Sequence, residues 1–284
     1  MKLTIITINR NNAAGLEKTM QSVLSQTCKD FEYVVVDGES VDGSVDVIRR
    51  YAGLFGERMK WVSEPDTGIY NAMNKGMKMA GGAYFQILNS GDSLAADDVT
   101  ERMLTELERL GRPSILYGNM IKCFPDGRKV LDKSFEGRPI TMLGMYIGTL
   151  NHNPTYIRRD LFDKYGPYDE SLKIVSDWKW FLLAIVLGGE VPEYVDIDVT
   201  LFDMGGISER NLELRNKEKR GVLEELINPA VLADYDAWAD SIDRMARLKR
   251  HPWADRLVWF LERCLFKREK AQKRRVDKRM IRGK

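Results

Sequence analysis

The chain has 284 residues, of which 44% are hydrophobic and 30% charged. This excludes a disordered or collagen-like polymer and leaves room for one large domain, or a domain with an extension. The 44 Lys and Arg against 42 Asp and Glu give a net charge of +2, a balance that argues against a dedicated nucleic-acid binder.

The balance hides a segregation: residues 244–284 carry 16 basic against 4 acidic side chains, or +12, so residues 1–243 stand at −10. Cys28, Cys123 and Cys264 show no C-x-x-C spacing, so neither a disulfide framework nor a zinc knuckle is expected, and a reducing compartment fits best. Nothing at the N-terminus has the pattern of a signal peptide, and no run approaches the roughly 20 apolar residues of a membrane span. The expectation is a cytoplasmic protein.

In chain order, Leu3 to Ile8 reads as a buried strand, and Leu16, Met20, Val23 and Leu24 recur at helical spacing behind it. Strands follow at Tyr33 to Val36, Lys60 to Ser63, Ala83 to Leu88 and Ile115 to Tyr117, with helices near Ile69 to Met79 and Asp97 to Leu110. This alternation predicts an α/β fold with a mostly parallel central sheet flanked by helices. The second half is less regular. It offers a hairpin around Pro125-Asp126-Gly127, a Gly-rich patch near Met145, a helix from about Ser176 to Leu187 and a strand from Tyr194 to Phe202. From Ser208 the chain reads as almost wholly helical, with Pro229 and Pro252 at helix boundaries.

Ligands of doubly wound sheets collect beyond the C-terminal strand ends, so the polar residues there matter most. After the first strand comes Thr7-Ile8-Asn9-Arg10-Asn11-Asn12, with no glycine before Gly15, which argues against a G-x-G-x-x-G dinucleotide site. Its amides suit a base edge or ribose, or a helix cap. The second strand ends in Asp37-Gly38-Glu39-Ser40, where a carboxylate is placed to accept from ribose hydroxyls, and Asp42-Gly43-Ser44 reads as a turn with a cap. After the third strand, Asn71, Asn74 and Lys75 share a helix face that either meets a polar ligand or is merely solvated. The fourth runs into Asn89-Ser90-Gly91-Asp92, a single carboxylate that suits a hard cation held mainly by substrate phosphates.

Together with Ser176-Asp177-Trp178, these segments resemble the inverting family 2 glycosyltransferases with the GT-A fold, over roughly residues 1–210. The resemblance implies a GT-A domain at 1–210, with its nucleotide-binding part about 1–120 and its acceptor part about 121–210, and a helical basic extension at 211–284. It implies that Thr7, Asn9 and Asp37 hold the base and ribose of a nucleotide-diphosphate sugar, a UDP-sugar being favoured. Glu39, Asp66, Asn74 and Lys75 complete that set. Asn89 to Asp92 takes the place of the metal-binding D-x-D motif, reduced here to Asp92, with Mg²⁺ or Mn²⁺ as cofactor. Asp177 matches the general base that takes a proton from the acceptor hydroxyl, while His152, Trp178 and Ser208 fall on the acceptor or phosphate side. The acceptor is then a saccharide or lipid-linked saccharide in polysaccharide biosynthesis. A hydrolase would want a carboxyl pair. A nucleotidyltransferase would want a Gly-rich first loop, and a non-catalytic nucleotide- or sugar-binding module is the reading the thinned metal motif leaves open.

Outside that region, Trp253, Leu257, Phe260, Leu261, Cys264 and Leu265 recur at helical spacing before the cation-dense stretch Lys267 to Arg282. Such a pattern suits a helix lying on an anionic membrane surface, which would make the protein peripheral at the cytoplasmic membrane, or an amphipathic helix docked on protein.

Overall fold

The computed structural model describes residues 3–205, 211–251, 253–254 and 256–266. Its first part is a run of βα units: β1 (Leu3–Asn9), α1 (Ala13–Leu24), β2 (Phe31–Asp37), α2 (Ser44–Phe55), β3 (Met59–Ser63), α3 (Ile69–Met79) and β4 (Tyr84–Ile87). β1 and β2 are buried along their whole length. That is why they read as continuous apolar runs rather than alternating ones, since a parallel sheet is covered on both faces.

The remainder comprises β5 (Ser93–Leu94), α4 (Val99–Arg109), β6 (Ile115–Cys123), β7 (Lys129–Asp132), α5 (Met142–Ile147), β8 (Thr155–Arg158), α6 (Asp160–Tyr165) and α7 (Ser176–Phe181). A π-turn at Leu182–Leu187 continues α7, and β9 (Glu193–Asp203), α8 (Leu212–Leu226) and α9 (Pro229–Lys249) follow. One nine-stranded sheet runs β3-β2-β1-β4-β8-β6-β9-β5, with β7 paired to β6.

The expected parallel half is β3-β2-β1-β4. β8 lies antiparallel between β4 and β6, β9 is parallel to β6, and β5 and β7 are antiparallel edges. The expected α/β architecture of a central sheet flanked by helices is what the chain adopts, and the sheet is mixed because the less regular second half adds antiparallel strands. The expected hairpin closes at Gly127, whose φ of +82° supplies the turn.

On one face, Leu16, Met20 and Val23 of α1, Ile48, Tyr51 and Phe55 of α2, and Val99, Met103 and Leu107 of α4 pack with Leu3, Ile5, Tyr33 and Val35. α3 covers the other face so closely that a Cβ at Gly76 would collide with Ile6. Aromatic rings seat α7: Trp180 stacks on Phe162 at 4.5 Å between centroids, and Phe162 in turn meets Phe85 and Tyr168.

The chain divides into units Met1–Leu226 and Ile227–Lys284. The division lies after α8, not at residue 210, because α8 is bound to the segment around α7. In the second unit, α9 is followed by further helical residues at 256–266. No helix among the described residues is long and apolar enough to cross a membrane.

Candidate functional site

The ends of β1, β2 and β3 are tied by Asp37, which is fully buried. Its Oδ1 accepts from Asn9 Nδ2 at 2.8 Å and Ser40 Oγ at 2.6 Å, and its Oδ2 from the Ser40 amide at 2.9 Å and Ser63 Oγ at 2.7 Å. Four donors fill the lone pairs of a carboxylate. Asp37 and Asn9 thus hold the loops in place, and a direct ligand bond to Asp37 needs a serine hydroxyl to turn away. Thr7 is fully buried and accepts from Tyr33 Oη at 3.0 Å, so its side chain faces the core. Asn12 caps α1 through the Gly15 amide, and Asp42 caps α2 through Ser44.

Glu39 is exposed at the rim with a left-handed φ of +56°. Asp66 lies against Gly38, where a Cβ would strike its carboxylate, and pairs with Arg10 at 3.6 Å. The structure therefore brings Asp66 and Arg10 together beside Gly38, just past Asp37 at the end of β2. Asn74 and Lys75 are elsewhere. Asn74 is buried and clamps both the amide and carbonyl of Tyr168 as well as Glu170, and Lys75 bonds Glu64 and the Pro65 carbonyl. Asn74 is fully engaged by these partners, while the Lys75 ammonium keeps one of its three N–H donors beyond them.

Past β4 a second polar group assembles from distant parts of the chain. His152 Nδ1 lies 2.8 Å from Asp177 Oδ2, Tyr70 Oη lies 2.9 Å from Asp177 Oδ1, and His152 Nε2 faces Asn89 Nδ2 at 3.4 Å. The side chains of His152 and Asp177 are each 16% exposed, so the pair is sheltered yet reachable. Burial pushes the Asp177 carboxyl up, but the bond and charge of His152 and the bond of Tyr70 outweigh it and hold it below the usual range. Burial pushes His152 down, and Asp177 and then Asp92 more than reverse this. The two ends of the Asn89 amide serve the two states of the ring: neutral imidazole accepts from Nδ2, and imidazolium donates to Oδ1 once the amide turns over.

Asp92 is 3% exposed, accepts from Asn153 Nδ2 at 2.5 Å and the Asp203 amide at 3.0 Å, and is pushed up to about 7, chiefly by burial. Nearby, Asn89 Oδ1 is buried without a hydrogen-bond partner. A buried carboxylate whose pKa is raised and, three residues before it, an amide oxygen without a partner are oxygen donors of the kind a hard divalent cation takes. Among the described residues no cluster of three His, Cys, Asp or Glu side chains exists, so such an ion would draw its remaining ligands from phosphate and water.

Trp178 does not line this space. It is buried and donates from Nε1 to the Met145 carbonyl at 2.8 Å, so its expected acceptor contact is replaced by a structural one. Lys219 of α8 sits 4.7 Å from the Trp178 ring centre and donates to the Gly148 carbonyl, with its pKa pushed down to about 8 by burial and then by Arg215. Ser208 lies outside the described residues. The sequence reading missed Tyr70, Asn153, Glu218 and Lys219. Only Tyr70 left a trace, one helical turn before Asn74 on the same face of α3.

Residues 4–166 match the family described as Glycosyl transferase family 2. A PGL/p-HBAD biosynthesis glycosyltransferase of Mycobacterium bovis is 30% identical over 210 residues, 72% of this chain and 78% of the relative. An uncharacterized glycosyltransferase of Mycobacterium tuberculosis is 32% identical over 211 residues, 72% and 76% respectively. Among solved structures, S. aureus TarS in complex with UDP superposes with a TM-score of 0.60 at 18% identity, covering 72% of this chain and 60% of that one. The mannosyltransferase PcManGT from Pyrobaculum calidifontis, in complex with GDP-Man and Mn²⁺, gives 0.56 at 17%, covering 71% and 56%.

Proposed function

The chain belongs to glycosyl transferase family 2, and on that premise we propose that it transfers a sugar from a UDP-sugar to a hydroxyl of a saccharide or lipid-linked saccharide, inverting the anomeric centre. The observation that carries this reading is the Asp177 carboxylate, held between His152 and Tyr70 at the mouth of the cleft. In the proposed step the acceptor oxygen attacks the anomeric carbon and its proton passes to Asp177. The bond from that carbon to the diphosphate oxygen breaks, and its electron pair leaves with the nucleotide. One base and one displacement invert the centre. A covalent sugar intermediate would need a carboxylate acting as nucleophile.

Asp177, whose carboxyl its neighbours hold low, is ionised and open to the proton, and His152, whose pKa Asp177 raises, orients it through Nδ1. Asp92, with Asn89, would hold Mg²⁺ or Mn²⁺. Such an ion, bound also by the diphosphate, lowers the cost of the leaving charge. Support for a nucleotide-sugar donor comes from the sheet end tied by Asn9 and Asp37, with Asp66 and Arg10 just past it, and from neighbours solved with UDP or GDP-Man.

A thermal-shift screen of UDP and GDP, with and without Mn²⁺, identifies the nucleotide, because a ligand that binds the native state raises apparent stability. Asp177→Asn should keep that shift and lose transfer by roughly 100- to 10,000-fold. Undiminished turnover would remove Asp177 from the role of base. Retained nucleotide binding with no transfer by the wild-type chain, across a broad donor and acceptor panel, would favour a binding module. A product of retained anomeric configuration by NMR would overturn the single displacement.

A further inference from the structure

The catalytic reading makes no use of the most apolar surface of the second unit. In the helical residues 256–266 and at Trp253 before them, Trp253 is 69% exposed, Leu257 50%, Phe260 59%, Leu261 50% and Leu265 59%. At 100° per residue these side chains and Cys264 occupy one face. The opposite face is the one turned to α9: Arg256, Val258, Trp259 and Glu262 line a cleft with Met245, and Arg263 lies over the Trp259 ring at 4.6 Å. Trp259 and Phe266 are exposed as well, at 57% and 66%, so the helix is apolar over more than one face, with Leu257, Phe260, Leu261 and Leu265 as its continuous stripe.

Charge names the occupant. Residues 267–284, directly after this helix in the sequence, contain 10 Lys and Arg against 2 Asp and Glu. An apolar helix face continued by cations is complementary to a surface that is hydrocarbon beneath and anionic above. A second copy would bring another +12 segment against the first, and a nucleic acid would use the cations while leaving the Leu and Phe side chains in water. Residues 1–243, at −10, are repelled by an anionic surface, which confines the contact to the tail.

We propose that the helix at 256–266 forms a docking surface for an anionic lipid bilayer, lying in the interface with Leu257, Phe260, Leu261 and Leu265 inserted, the cation-rich sequence after it favouring an anionic surface. This goes beyond the transfer reaction and does not depend on it.

The test is co-sedimentation of the full chain with vesicles of phosphatidylcholine alone or mixed with phosphatidylglycerol, at low and high salt. The expected result is partition about tenfold or more higher on the anionic vesicles, weakened by salt, and lost in Leu257→Glu/Leu261→Glu while Glu262→Gln on the opposite face keeps it. A second readout needs no variant. Cys264 lies on the inserted face and is exposed, so its alkylation by a charged maleimide, followed by mass spectrometry, should slow several-fold when anionic vesicles are added, with Cys28 and Cys123 unaffected. Equal partition on both vesicle types, partition of the double variant equal to wild type, or unchanged Cys264 labelling would each overturn the proposal. So would slowing of Cys264 labelling with protein concentration alone, which marks a second copy, or duplex DNA binding lost in the same double variant.

Discussion

At the scale of single residues, the site depends on who neighbours Asp177. Ser176-Asp177-Trp178 singled it out in the sequence, but Tyr70 is 107 positions away in the chain and no local pattern announces that contact. The same holds for Asn74 and Lys75: helical spacing gave their face, but not that Tyr168, Glu170 and the Glu64-Pro65 turn meet it. Because the Tyr70 hydroxyl helps hold Asp177 low, Tyr70→Phe should move the acid limb of the pH profile of kcat/KM to higher pH. An unmoved limb would detach Tyr70 from the base. Asp92 has the opposite sense. Its folded value of about 7 exceeds the ordinary 3.8, so the folded state binds the proton more tightly. The stability it contributes is full below about pH 4 and is lost as pH rises through 7. With a chelator present, Asp92→Asn should flatten the dependence of Tm on pH across that window. An unchanged slope would mean that the carboxyl is not buried uncompensated.

At the scale of elements, α8 belongs to the compact unit Met1–Leu226, past the expected boundary at residue 210. It is strongly polar and only Val222 and Leu223 are buried, so by composition it looked like the start of an extension. Its function in the fold is carried by charge instead. Glu218 accepts from the amides of Lys173 and Ile174 at 2.8 and 2.9 Å, and Glu225 pairs with Lys179, so α8 grips the approach to α7 and α7 itself. Ile174 also accepts the Tyr70 hydroxyl through its carbonyl, which links this grip to the base. Glu218→Ala should cost about 1–3 kcal/mol in denaturant unfolding and lower kcat more than it raises KM. A change in KM alone would place α8 in substrate binding rather than in seating the base. The short strand β8 was also missed, being four residues long and preceded by the irregular Asn151-His152-Asn153-Pro154 turn that delivers His152.

At the scale of the whole molecule, the half of the sheet that obeys βα alternation was readable because each strand is buried on both faces and each helix has a clean apolar stripe. The other half was not, because its pairings are decided by partners far along the chain. The two halves meet at a narrow seam. β8 joins β4 through only Tyr84↔Arg158 and Phe85↔Ile157, and joins β6 through three pairs, with Ile157 in both registers. The seam has a kinetic meaning. The β1 to β4 half is contiguous in sequence and its closures are short, whereas β8 must return across some 70 residues, so loop entropy defers its docking. Ile157→Ala, which removes a side chain only 3% exposed, should cost about 2–5 kcal/mol. If β8 docks late, nearly all of that appears as faster unfolding, with the refolding arm of the chevron left in place. A slowed refolding arm would instead put β8 in the nucleus. With β8 docking late, the strand that follows His152 is the last to arrive in folding and the first to leave, so that the His152–Asp177 pair exists only in molecules whose sheet is already complete.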